Sequence, residues 1–178
     1  MLLFGLDALD ELVKELRSVV DFEDLHSIDK YLGCHHEITD NKDVTEVKWS
    51  MSDYFQSSVD IFKDVTGIKN ITPVCTPFAP EISKELFIEN VSTPGVWAKH
   101  APSFLMKLLY GARMAVPTLV LPVQRLATQV TKWSVEADRR LLRVYAYVSY
   151  ITGWALMGSL GSEDLRSLRI SAYPDADL

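Results

Sequence analysis

At 178 residues, 48% hydrophobic and 24% charged, the chain has the length and composition of one folded domain or two small ones, which excludes wholesale disorder. The net charge of −6 is unevenly spread: residues 1–90 hold 8 Lys/Arg against 18 Asp/Glu, and residues 91–178 hold 10 against 6. That balance excludes a strongly basic, self-sufficient nucleic-acid binder and leaves only the second half suited to a polyanion partner. Cys34 and Cys75 share no CxxC spacing, which fits an intracellular setting, cytoplasmic or nuclear, rather than a disulfide framework. The longest apolar tract, 104–123, contains Lys107, Arg113, Pro117 and Pro122, so it reads as packed core, and no membrane partner is expected.

In chain order, Met1–Phe4 reads as a short strand ended by Gly5, and Asp7 as the N-cap of a helix running to Val20. Leu9, Leu12, Val13, Leu16, Val19 and Val20 give that helix one apolar stripe. Lys30–Ile38 and Thr45–Trp49 read as two strands of a hairpin around the polar 39–43 turn. Ser52 is expected to cap a helix through Val65 that Gly67 closes. Pro73, Pro77, Pro80 and Pro94 make 71–95 an extended connector with at most one short helix near Ser83–Phe87.

The second half reads as mostly helical. Pro102 and Ser103 open a helix with Leu105, Leu108, Leu109 and Ala112 on one face, and Pro117 suits the start of the next, which Pro122 distorts or delays. Ser134 caps a third, with Leu141, Val144, Tyr145 and Val148 inward and Arg139 and Arg143 outside, ending at Gly153. Trp154–Leu160 and Leu168–Tyr173 read as a terminal pair of strands.

Motifs for familiar chemistry are few. Cys34, His35, His36 and Glu37 invite a metal reading, but neighbours on a strand point to opposite faces, so the two histidines cannot chelate one ion. No Gly-x-Ser-x-Gly elbow, GxGxxG or phosphate loop is present. Asp175 and Asp177 lie just past a strand, a common way to present metal ligands, although two aspartates alone are more often solvated charges. Lys132 beside Trp133, with Arg139, Arg140 and Arg143, puts cations next to an aromatic ring, as a groove following a nucleic-acid backbone needs.

Taken in order, these segments resemble a copia-type retrotransposon polyprotein, from the end of its reverse transcriptase into its ribonuclease H. Met1–Gly5 resembles the strand leaving the Tyr-x-Asp-Asp turn, Asp7–Val20 the palm helix after it, and Lys30-Tyr31-Leu32-Gly33 the Lys-Phe-Leu-Gly strand of the primer grip. Pro73-Val74-Cys75-Thr76-Pro77 is similar to Pro-Val-Ser-Thr-Pro after the thumb helix, and 103–115, with Leu109-Tyr110, to the helix ending in Leu-Met-Tyr-Leu-Ala. Arg125-Leu126 and Arg140-Leu141-Leu142-Arg143 are similar to the Ser-Arg-Leu and Lys-Arg-Val-Leu-Arg segments, and 173–178 to the Tyr-Ser-Asp-Ala-Asp-Trp that starts ribonuclease H. Val116-Pro117-Thr118 departs from the usual Arg-Pro-Asp, and Cys34-His35-His36 from an apolar stretch.

The resemblance implies an α+β fold: palm strands and hairpin (1–50), a helical thumb and connection (51–153), and a terminal strand pair opening an incomplete ribonuclease H-like sheet (154–178). It implies primer–template contact at Lys30, Tyr31, Leu32, Gly33, Lys132, Arg139, Arg140 and Arg143. It makes Asp175 the first ribonuclease H carboxylate and a magnesium ligand in the parent polyprotein, with the rest of the set absent and no tight magnesium binding expected here. The expected partners are an RNA/DNA duplex, bound weakly, and the remainder of the polyprotein. The expected function is a truncated fragment that holds primer–template without catalysing RNA-directed DNA synthesis. The alternative is a small non-catalytic protein-interaction domain derived from such an element.

Overall fold

The computed structural model describes residues 6–21, 29–161, 163 and 164. The strands expected at Met1–Phe4 and Leu168–Tyr173, and the Asp175–Asp177 pair, lie outside the described residues. The fold is α+β.

The first helix, α1, is Leu6–Arg17, with Lys14 and Arg17 in its last turn, where cations complement the helix dipole. Asp7 therefore falls inside the helix, as its second residue. The apolar stripe expected to run on to Val20 outlasts the helix, and Leu16, Val19 and Val20 are exposed.

Lys30–Ile38 is not one strand. β1 (Lys30–Tyr31) and β2 (Cys34–Asp40) are separated by a two-residue turn in which Leu32 has φ +50° and Gly33 φ +83°. Tyr31 and Cys34 pair across it, which is the geometry of a type I′ hairpin, whose twist matches that of the flanking strands. Glycine adopts this backbone freely and leucine does not, so Gly33 sets the break. β3 (Val44–Ser50) pairs antiparallel with β2, and the side chains of Thr45 and Asp40 bond beside their turn.

β4 (Ala155–Gly161) pairs with β3 along its full length, from Val44↔Gly161 to Ser50↔Ala155. The strand order is β1-β2-β3-β4. The strand expected to open a separate terminal sheet thus joins the hairpin sheet, because the last helix returns the chain to the open edge of β3. Period-two alternation places Cys34, His36, Ile38, Val47, Trp49 and Leu156 on one face, with Glu37, Thr39, Glu46 and Lys48 on the other.

Helices supply the rest. In α2 (Ser52–Thr66) Phe55, Ser58, Val59 and Phe62 recur at helical spacing and are buried. Met51 occupies the N-cap, so Ser52 is already helical and its hydroxyl meets that of Ser50 instead; Gly67, left-handed, closes the helix through its N–H to the Lys63 carbonyl. α3 (Lys84–Ser92) starts where Ser83 accepts from the Leu86 N–H, and runs five residues beyond the expected Phe87. α4 (Ala101–Met114) buries Phe104, Leu105, Leu108, Gly111 and Ala112. A β-carbon on Gly111 would lie 2.6 Å from Phe55 Cζ, so glycine there sets how closely α4 approaches α2.

A 3₁₀ turn (Pro117–Leu119) leads into α5 (Val120–Ala127), where Pro122 is third and its missing N–H costs no intrahelical bond. A second 3₁₀ turn (Val130–Lys132) precedes α6 (Val135–Ile151), capped by Ser134 accepting from the Ala137 N–H. Leu141, Val144, Tyr145 and Val148 point inward as expected.

One hydrophobic cluster runs from Cys34 and Met51 through α2, α4 and α5 to Ile151. At its centre Phe62 stacks on Tyr145 at 3.9 Å and meets Phe104 edge-on at 5.1 Å. The Tyr145 hydroxyl, 3.2 Å from that of Ser58, keeps a polar partner in this dry setting, and burial pushes its phenol well up. Among the described residues no helix is long and apolar enough to cross a membrane.

Candidate nucleic-acid interface

Two regions hold the residues singled out in the sequence. The first is the β1–β2 tip. Lys30 is exposed, and Tyr31 and Leu32 expose 57% and 62% of their surface. The tip is nevertheless anchored: the Tyr110 hydroxyl of α4 donates to the Leu32 carbonyl at 2.6 Å. Tyr110 stands 5.4 Å from the ring of Tyr54, whose own hydroxyl donates to the Lys107 carbonyl. Burial, and then the neighbouring Tyr110 phenol, push the Tyr54 phenol up, so Tyr54 stays a neutral donor. The outcome is an apolar and aromatic tip with a cation at its base, fixed to a rigid helix and open to solvent.

The second region is the N-terminal half of α6. Glu136 is buried, and Arg139 (Nε and Nη2) and Arg140 (Nε) donate to its two oxygens at 2.8–2.9 Å. Those bonds, led by Arg139 and opposed by burial, hold its carboxyl below the usual carboxylate range. Arg139 Nη1 donates to the Pro80 carbonyl at 3.1 Å, and Arg143 donates to the Thr76 carbonyl and hydroxyl at 3.0 and 2.7 Å. A proline-rich segment has no internal hydrogen bonds, so its carbonyls need outside donors. Arg139 and Arg143, expected to face outward, face the connector and supply them.

Lys132 is exposed on its 3₁₀ turn, but the ring beside it is not free. Trp133 is buried and its indole N–H donates to Asp138 at 2.6 Å; the same carboxylate accepts from the Val96 and Trp97 amides. The cation-beside-aromatic pattern at 132–133 therefore records a core anchor. Among the described residues no hydrogen bond, ion pair or ring contact joins the hairpin tip to the α6 arginines.

His35 and His36 diverge as strand neighbours must: His35 Nε2 meets Asp53 at 3.1 Å, while His36 Nε2 is buried without a partner. Cys34 is buried, which pushes its thiol up. Among the described residues no three His, Cys, Asp or Glu side chains come together to hold a metal ion. Asp175, the expected magnesium ligand, lies outside them.

Compared with known proteins, the chain matches no family model, no curated protein and no solved structure.

Tyr54, Lys107 and Tyr110 were not singled out in the sequence as site residues. Lys107 and Tyr110 stand three apart, which puts them on one helix face, but that α4 would present this face to the hairpin is a tertiary fact. Glu136 was not singled out either, although its spacing to Arg139 and Arg140 places all three on one face of α6.

Proposed function

We propose that this chain holds a nucleic-acid duplex through the β1–β2 tip, as the thumb and connection of a copia-type reverse transcriptase would hold primer–template for RNA-directed DNA synthesis. The observation that carries the reading is Leu32. A leucine in left-handed backbone costs about 1–2 kcal/mol relative to glycine, and this one is also exposed. Stability alone selects glycine or asparagine there, so a strained apolar residue at an anchored tip is best accounted for by something it touches. Tyr31 and Leu32 would pack on sugar edges, the tip backbone would face the strand, and Lys30 would meet a phosphate. Lys132, Arg140 and Arg143 contribute positive potential, while Arg139 is committed to the fold.

Fluorescence anisotropy with a labelled RNA/DNA hybrid tests this. Tyr31→Ala with Leu32→Gly is expected to weaken binding about tenfold without lowering the melting temperature. Unchanged affinity in that variant would overturn the reading.

A second reading is protein interaction, favoured by α3. It has no buried residue and exposes Leu86, Phe87, Ile88 and Val91. Under that reading Ile88→Glu abolishes partner binding, and the tip variants leave it intact.

A further inference from the structure

Between the connector and the α5–α6 junction lies a cleft of about 280 Å³. Its floor is apolar and buried, formed by Pro122, Leu126 and Val144, while Phe78, Arg125 and Arg140 stand at its sides. Phe78 is 44% exposed, and the Arg125 guanidinium carbon lies 5.4 Å from its ring centroid. Arg125 is exposed and meets no carboxylate among the described residues. Arg140 commits its Nε to Glu136 and its guanidinium carbon lies 5.8 Å from the Phe87 ring centroid, but the Glu136 carboxylate is shared with Arg139, so the trio retains a net positive charge.

The combination is specific. A buried apolar floor beside an exposed ring recognises a flat, weakly hydrated body, and the Arg125 guanidinium, with the positive charge of the lining Arg140 nearby, recognises an oxyanion. A space of this size admits one ring system rather than a larger ligand. A planar base carrying one phosphate satisfies all three features at once. We infer that this cleft takes a single nucleotide unit, its base against Phe78 and Arg125 and its phosphate between Arg125 and Arg140. The unit comes either from a free mononucleotide or from an unpaired position in a strand. The residues are not those of the hairpin tip, so either site can fail alone.

Calorimetric titration of the full chain with AMP, with inorganic phosphate and with a short oligothymidylate tests the assignment. AMP or the oligonucleotide is expected to bind saturably, with phosphate alone at least about tenfold weaker for want of stacking. Tighter binding of the oligonucleotide identifies the source as an unpaired strand, and equal or tighter binding of AMP identifies a free nucleotide. Phe78→Ala and Arg125→Ala, both on the surface and expected to leave the melting temperature unchanged, each weaken binding at least about fivefold. Lys30→Ala with Tyr31→Ala, at the hairpin tip, leaves AMP binding unchanged. No saturable binding of AMP or oligonucleotide, equal affinity for phosphate alone, or unchanged affinity in both cleft variants would each overturn the assignment.

Discussion

Glu136 occupies a position where almost no water reaches it, between two guanidinium groups that partly do. Its folded pKa lies below the ordinary 4.5, mainly because Arg139 donates to it. A carboxylate depressed by folding stabilises the fold fully above its unfolded pKa and loses that contribution as pH falls through the folded value. Glu136→Gln is therefore expected to cost about 2 kcal/mol at neutral pH, less than a fully buried pair because both arginines reach solvent. The gap between variant and parent should narrow below pH 4.5, as chemical denaturation across pH will show. At Leu32 the expectation has the opposite sign. Asparagine tolerates left-handed backbone, so Leu32→Asn should raise stability by about 0.5–1 kcal/mol while weakening duplex binding, the opposition expected where strain serves a contact.

At the scale of elements, the approach of α4 to α2 depends on Gly111 lying beneath the Phe55 ring. Gly111→Ala forces ring or helix to shift and should cost about 1–3 kcal/mol in a thermal melt, despite the better helix propensity of alanine. Helix existence and inward faces were legible in the sequence, because 3.6-residue periodicity, Ser83, Ser134 and the left-handed Gly67 act locally. The break at Leu32–Gly33 was legible in principle, since Gly33 interrupts an otherwise strand-like run, but apolar flanks concealed it. Two features were not legible. The pairing of β4 with β3 joins residues more than a hundred positions apart, and nothing local encodes it. The inward turn of Arg139 and Arg143 depends on a connector whose prolines leave carbonyls in need of donors, visible only once that segment lies across α6. The same dependence means that removing Arg139 or Arg143 should loosen the connector first. Hydrogen exchange at the Val74 amide, which donates to the Ala146 carbonyl, should rise in Arg143→Ala.

For the whole molecule the difficulty is charge. A chain of net −6 is repelled by a polyanion unless its cations lie together, and the acidic half contains the very tip that carries the proposed contact. Duplex binding therefore requires Lys30, Lys132 and the basic second half to outweigh the acids of α2 and the sheet locally. This requirement has a direct measure in the salt dependence of duplex affinity. Each phosphate neutralised releases counterions, so affinity falls on a log–log plot against salt with a slope close to the number of phosphates contacted. An RNA/DNA hybrid of about 20 base pairs titrated between 50 and 200 mM salt is expected to bind saturably with a slope of about −2 to −4. In Lys30→Ala the slope should be shallower by about one unit. Absence of binding at the lowest salt, or an affinity that does not change with salt, would contradict the proposed contact.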